Sequence, residues 1–217
     1  MTAPRKLTIG VLAIQGGFIE HSHALRQCDA VERVVEFTNA KEMAAQPLDG
    51  IVLPGGESSA MAVLLESFDL LEPLRAYVRA GKAVWGTCAG MILLSDSIKH
   101  AKLGGQSLVG GLHATTVRNA FGRQKESFIA TLDVPDVVLA DREKPFRAVF
   151  IRAPIIESVG DDVRVLARVV RPSAPPDAEP DIVAVRQDRI LATSFHPELT
   201  RDIRFHEYFC RMVAGEV

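Results

Sequence analysis

Residues 83–94 read Ala83-Val84-Trp85-Gly86-Thr87-Cys88-Ala89-Gly90-Met91-Ile92-Leu93-Leu94. A short apolar run enters Gly-Thr-Cys-Ala-Gly and leaves as an apolar segment of helical character. This is the pattern of a nucleophile elbow, a sharp strand-to-helix turn, with cysteine in the place of serine. Glycines two residues either side of Cys88 suit it, because bulky neighbours at a strained turn would strike the adjoining strands. A helix N-terminus also presents N–H groups and a dipole that favour negative charge on sulfur. On these residues alone Cys88 is a nucleophile, a redox-sensing thiol or a packed cysteine in a βα turn.

Outward from the elbow, apolar runs and glycine turns alternate. Leu7 to Ile14 predicts a strand stopped by Gln15-Gly16-Gly17, and Phe18 to Cys28 a helix. Val31 to Phe37 and Gly50 to Leu53 predict further strands, the second stopped by Pro54-Gly55-Gly56. Lys41 to Ala45, Ala60 to Leu65 and Leu70 to Ala80 predict helices, with Gly81 ending the last. Ala83 to Trp85 is the strand that feeds the elbow. Such alternation predicts an α/β fold: a three-layer, flavodoxin-like, mostly parallel sheet with helices on both faces.

The second half is richer in β-strand. Leu103 to Asn119, Ser127 to Asp133, Ala148 to Ile156 and Val163 to Val170 predict strands, an additional antiparallel portion. Arg171 to Asp181 holds four prolines and predicts an exposed loop. Ile182 to Arg186 and Ile190 to Phe195 form a hairpin across Gln187-Asp188-Arg189, and Arg201 to Met212 a terminal helix. Without repeats or a dividing linker, residues 1–217 are expected to form one domain.

Composition narrows the function. A formal net charge of −2 over 217 residues argues against nucleic acid or anionic membrane as partner. Three cysteines cannot all pair and lack zinc spacing, which suits a reducing, cytoplasmic setting. The opening Met1-Thr2-Ala3-Pro4-Arg5-Lys6 carries no secretory apolar core, and no apolar run reaches membrane-spanning length. Cys28 and Cys210 fall in helical segments as packing residues. His21 and His23, two apart on a helix, do not share a face, so no metal site is assigned, and no cofactor.

A cysteine nucleophile needs a base and an orienter. Among six histidines, His196 stands in His196-Pro197-Glu198 after an apolar strand. In an extended segment residues i and i+2 point the same way, so Glu198 can orient the ring while its other nitrogen faces the thiol. An oxyanion would take the Ala89 N–H, next after the nucleophile, and a donor from Leu53-Pro54-Gly55-Gly56-Glu57-Ser58-Ser59.

Together these segments resemble the class I, triad-type glutamine amidotransferases. More narrowly, the chain resembles the glutaminase subunits of pyridoxal 5′-phosphate synthases, in segments that keep family order from end to end. They are Ile9-Gly10-Val11-Leu12-Ala13-Ile14-Gln15-Gly16, Pro54-Gly55-Gly56-Glu57-Ser58-Ser59, Arg118-Asn119-Ala120-Phe121-Gly122-Arg123-Gln124, Phe150-Ile151-Arg152-Ala153-Pro154 and Ser194-Phe195-His196-Pro197-Glu198-Leu199-Thr200. The blocks at Arg118 and Arg152 discriminate; other glutaminases share the elbow and His-x-Glu but not these two.

The resemblance implies hydrolysis of glutamine to glutamate and ammonia through a γ-glutamyl thioester on Cys88, with His196 and Glu198 completing the triad. It implies substrate binding by Gly56, Glu57, Ser58, Arg118, Ile151 and Arg152, and an oxyanion hole at Gly56 and Ala89. An arginine fork suits the α-carboxylate of glutamine. Ammonia would pass to a (β/α)₈-barrel synthase subunit in a hetero-oligomer serving vitamin B6 synthesis, and docking would activate the glutaminase through Gln15. An amidotransferase for another acceptor, a hydrolase of γ-glutamyl peptides and a redox-sensing module are the rival readings. Against the compact bacterial pattern, Arg171 to Asp181 reads as an insertion and Asp136 to Lys144 as somewhat extended.

Overall fold

A computed structural model describes residues 5–99, 105–118, 127–137, 145–172, 175 and 177–217. Its first half alternates β1 (Leu7–Leu12), α1 (Phe18–Leu25), β2 (Val31–Phe37), α2 (Ala40–Ala44), β3 (Gly50–Leu53), α3 (Ser58–Ser67), α4 (Leu71–Arg79), β4 (Ala83–Thr87) and α5 (Ala89–Leu94). Then come β5 (Ser95–Lys99), β6 (Leu112–Val117), β7 (Phe128–Leu132), β8 (Phe146–Phe150), β9 (Ile155–Val159), β10 (Arg164–Val169), β11 (Asp181–Gln187) and β12 (Ile190–Thr193). A 3₁₀ turn at Pro197–Leu199 and α6 (Arg204–Ala214) close the chain.

The large sheet runs β2-β1-β3-β4-β12-β11-β9-β6-β5, with β10 on β11; β7 and β8 pair separately. From β2 to β12 every pairing is parallel, whereas β12, β11, β9 and β6 pair antiparallel. The expected α/β sheet with an antiparallel extension is therefore present. β3 and β4 are buried along their whole length, as strands covered on both faces must be. Ile9, Val52, Trp85 and Leu191 pack with Leu25, Phe205 and Phe209 on one face. Ile51, Leu53, Val84 and Ala192 pack with Met61, Leu65 and Leu74 on the other. The chain moves from β1 outward to β2 and then back across to β3. In open α/β sheets that reversal leaves a crevice outside the carboxyl ends of the strands. Among the described residues no helix is long and apolar enough to cross a membrane.

Several elements depart from the sequence expectation for local reasons. Helix α1 ends at Leu25, because the Gln27 and Cys28 N–H groups bond three residues back and tighten the last turn. Within the described residues 105–118 of the expected strand Leu103 to Asn119, only Leu112–Val117 is strand; Gly105, Gly110 and Gly111 take positive φ and break the run before it. Strand β5 was not anticipated, since Ser-Asp-Ser-Ile-Lys is short and polar and lies at the sheet edge. The expected strand from Ala148 to Ile156 is two, β8 and β9, parted at Ile151–Pro154, where Arg152 has φ 45°. The terminal helix starts at Arg204 rather than Arg201 and ends against Gly215 in the left-handed region. Asn119 to Gln124 and most of the extended Asp136 to Lys144 segment lie outside the described residues.

The elbow glycines act through close backbone approach. A Cβ on Gly90 would lie 1.9 Å from the Leu53 carbonyl oxygen of β3, and one on Gly86 would lie 2.5 Å from the Gly90 carbonyl carbon. Gly90→Ala must therefore push α5 off the sheet. It is expected to lower unfolding stability by about 1–3 kcal/mol or more, read as a lower urea midpoint. An unchanged midpoint would show slack at the elbow that this geometry lacks.

Candidate active site

A cavity of about 700 Å³ opens beside the carboxyl ends of β1, β3 and β4, and each residue singled out from the sequence lines it. Cys88 follows β4 with φ 48° and ψ −103°, the strained backbone of a nucleophile elbow. Its N–H donates to the Thr193 carbonyl of β12 (2.8 Å), and its carbonyl accepts from Ile92 to start α5. Ala89 opens that helix, so its N–H has no acceptor within the helix.

Across the cavity lies the Gly55-Gly56 turn. A Cβ on Gly55 would fall 2.5 Å from His196 Cε1 and 3.2 Å from Cys88 Cβ, so only glycine fits against both. The Gly17 N–H donates to the Gly55 carbonyl at 3.2 Å. In a trans peptide N–H and C=O point oppositely, which turns the Gly56 N–H away from the β1–α1 loop. Gln15 braces the same turn, its Oε1 accepting the Glu57 N–H at 2.9 Å.

The sequence argument placed His196 and Glu198 on one side of an extended segment. That geometry is corrected: His196 sits at φ −108°, ψ 84°, and the chain then coils into the 3₁₀ turn Pro197–Leu199. Proline suits the first helical position, and the Leu199 N–H closes the turn on the His196 carbonyl at 3.3 Å. The turn carries the Glu198 carboxylate back to the ring, with Nδ1 to Oε1 at 2.8 Å. Cys88 and the same imidazole both face Gly55 in the cavity lining, and with Nδ1 taken, Nε2 is the ring nitrogen left for the thiol.

Burial alone would depress the His196 pKa, but the neighbouring Cys88 thiol and the hydrogen-bonded Glu198 carboxylate outweigh it and hold the group at about 10. Burial likewise pushes Glu198 upward, yet the electrostatic pull of the neighbouring His21, with the hydrogen bond and charge of His196, brings it below the usual carboxylate range. His196 thus stands as an imidazolium between the Cys88 sulfur and an ionised carboxylate.

Arg118, also in the cavity lining, follows β6, but its fork is not free. It donates to Glu57 Oε1 (2.9 Å), Ser59 Oγ (2.9 Å) and Gln106 Oε1 (3.0 Å). Glu57 also caps α3, accepting the Ala60 N–H at 2.7 Å. Burial opposes its ionisation, but the backbone N–H groups of Ala60 and Ser59, with Arg118, hold its pKa low. Neither this capping role nor Gln106 was read from the sequence, although Glu-Ser-Ser before an apolar run is a cap signature. Ser58 is buried at the helix start, while Ile151 and Arg152 are exposed at the cavity mouth.

A second layer was also missed. His21 and His206 are fully buried behind Glu198. His21 Nε2 lies 3.3 Å from Glu198 Oε2 and 3.1 Å from Thr87 Oγ1, and its Nδ1 lies 3.0 Å from His206 Nε2. The available signal was helical spacing: His21 shares a face with Phe18 and Leu25, and His206 with Phe209, Cys210 and Val213.

Comparison with known proteins bears on this geometry. The model of the SNO glutamine amidotransferase family matches residues 11–215. The chain belongs to that family. It is 52% identical over 219 residues to the "Pyridoxal 5′-phosphate synthase subunit PdxT" of Parafrankia sp. (strain EAN1pec), covering 100% of this chain and 97% of that one. The protein of the same name from Nocardia farcinica (strain IFM 10152) is 49% identical, covering 97% of this chain and 88% of its own length. A crystal structure of a glutamine amidotransferase, 39% identical, superposes with a TM-score of 0.78 over 95% of this chain and 98% of the other. This family member is thus an enzyme subunit of the glutamine amidotransferase type.

Proposed function

We propose that this chain hydrolyses L-glutamine to L-glutamate and ammonia, and hands the ammonia to a (β/α)₈-barrel subunit that builds pyridoxal 5′-phosphate. The observation that carries the chemistry is the convergence of Cys88, His196 and Glu198 on one cavity, with His196 Nδ1 to Glu198 Oε1 at 2.8 Å and Cys88 on a strained elbow. Homology to two synthase subunits supports the destination of the ammonia.

Sulfur of Cys88 attacks the side-chain amide carbon of glutamine, and the carbonyl electrons move to oxygen. The N–H groups of Gly56 and Ala89 receive that oxyanion; in other enzymes losing one such donor slows turnover by about 10²–10³. The His196 imidazolium gives its Nε2 proton to the amide nitrogen, the C–N bond breaks, and ammonia leaves a γ-glutamyl thioester. Now neutral, His196 takes a proton from water, hydroxide adds to the thioester carbon, and the C–S bond breaks to release glutamate. Glu198 keeps Nε2 facing the reacting atoms throughout.

Glutamine is held by the turn at Gly56, Glu57 and Ser58 and by Ile151 with Arg152. Arg118 contributes through the donors left over from its own contacts. Gln15, bonded to the Glu57 N–H, couples the β1–α1 loop to the oxyanion turn, so a partner that displaces it would reorient the Gly55-Gly56 peptide, which glycine allows at little cost.

Measuring glutamate release with and without a purified synthase barrel tests both parts. Release that rises on adding the barrel is expected. No release in either case overturns the glutaminase reading, and equal rates overturn the activation by docking.

A further inference from the structure

The reaction as written uses one oxygen of Glu198 and leaves a buried layer behind it unemployed. Oε1 faces His196, whereas Oε2 is buried and has no hydrogen bond of its own among the described residues. Its polar neighbour is the Nε2 edge of His21 at 3.3 Å, with both side chains almost wholly sequestered. We infer that His21 is a positioning residue, its Nε2–H edge holding the inner oxygen of Glu198, and that His206 fixes the tautomer in which it does so. The inference rests on the glutaminase reading for its effect on turnover, though not for the proton arrangement itself.

Two independent constraints select that arrangement. At one end a bare ring nitrogen of His21 facing an ionised carboxylate would set lone pair against negative charge, so the hydrogen belongs on Nε2, shared between Oε2 and Thr87 Oγ1 at 3.1 Å. At the other end His206 Nδ1 is buried without a partner, and a proton there would be an orphaned buried donor. The His206 hydrogen therefore sits on Nε2, aimed at His21 Nδ1 3.0 Å away. Both ends demand the same chain: His206 Nε2–H to His21 Nδ1, then His21 Nε2–H toward Glu198 and Thr87. Burial lowers the pKa of both rings, which keeps each neutral with a single hydrogen to place.

The ring planes are set by Trp85, which meets His21 edge-on at 5.3 Å and His206 at 5.0 Å between centroids. Trp85 is itself tied by Nε1 to Thr193 Oγ1 (3.2 Å), in the strand that leads to His196. Thr87 precedes Cys88 directly. The layer therefore touches the elbow, the carboxylate and the base strand at once.

The test combines two-bond ¹H–¹⁵N histidine spectra, steady-state glutaminase kinetics with the synthase barrel present, and the rate of Cys88 alkylation by iodoacetamide. In wild type both rings are expected as neutral Nε2–H tautomers. His21→Leu is expected to lower kcat about 10–100-fold with KM unchanged and to alter the alkylation rate. His21→Gln, whose amide nitrogen reaches the position of Nε2, is expected to restore most of both. His206→Leu should let His21 populate both tautomers. An Nδ1–H tautomer at His21 in wild type, a Gln variant as impaired as the Leu one, or a change confined to KM would overturn the proposal. Should His21→Leu fail to fold, the spectra and the Gln variant decide. Absence of glutamine hydrolysis in wild type would strike the glutaminase reading alone, because spectra and alkylation do not need the substrate.

Discussion

Cys88→Ala is expected to remove glutamine hydrolysis almost entirely, with kcat falling by about 10⁴-fold or more. No other described side chain can take over the attack. Cys28 and Cys210 are buried in the core cluster with Leu25, Phe205 and Phe209, and neither lines the cavity. The loss should be one of chemistry and not of fold. The Cβ of Cys88 stays, the backbone bonds Cys88 N–H to Thr193 and Ile92 N–H to Cys88 are untouched, and alanine fills the elbow without new contact. Urea unfolding should thus match wild type while glutamate release disappears, and mass spectrometry of quenched wild-type enzyme should find a γ-glutamyl adduct that the variant lacks. Turnover that survives in Cys88→Ala would refute the thioester and leave Cys88 with a redox or packing role.

Glu198→Gln is expected to have the next largest effect, a fall of about 10²–10⁴ in kcat, in line with amide replacement of a triad carboxylate elsewhere. Two donor edges converge on this one side chain, His196 Nδ1 at 2.8 Å and His21 Nε2 at 3.3 Å. A carboxylate accepts on both sides, whereas an amide accepts on one and donates on the other. One histidine must then turn a lone pair inward, and if that ring is His196, it gives up its Nδ1 proton and is left neutral, with its one hydrogen on the nitrogen that faces Cys88. The same substitution removes a hydrogen bond and a charge that help hold His196 at about 10.

The sign follows directly. A histidine raised from 6.5 toward 10 contributes stability that is fully present below pH 6.5 and is lost as pH rises through 10. In the wild type the His196 Cε1–H resonance should stay that of an imidazolium through pH 8 and titrate near 10. In Glu198→Gln the midpoint should move down, and the extra stability should disappear at correspondingly lower pH. An unshifted midpoint would mean that Cys88 alone sustains the charge.

Much of this was legible without coordinates because it is local. Parallel strands buried on both faces must read as short apolar runs, and the turns that end them must be glycine-rich, so Leu7 to Leu94 announced its strands and helices in order. Gly86 and Gly90 mark the elbow because a Cβ at either would meet backbone, a constraint written at fixed spacing from Cys88. Less was legible in the second half. There β5 is a polar edge strand with no apolar run to betray it, and the break between β8 and β9 depends on Arg152 taking a left-handed backbone.

The site divides along the same line. Cys88, the Gly55-Gly56 turn and His196-Pro197-Glu198 announce themselves by motif, since each is a short segment whose chemistry needs neighbours in the chain. That Arg118 is braced by Glu57, Ser59 and Gln106 could not be read there, because those contacts join residues from 12 to 61 positions apart. Nor could the pairing of His21 with His206 across 185 positions. A histidine on the apolar face of a helix has the same local pattern whether it merely packs or backs a carboxylate. It is the docking of α1 and α6 on one face of the sheet, over Trp85, that seals water out and puts His21 against Glu198. Burial of that kind depends on which helices meet, and no run of neighbouring residues encodes it.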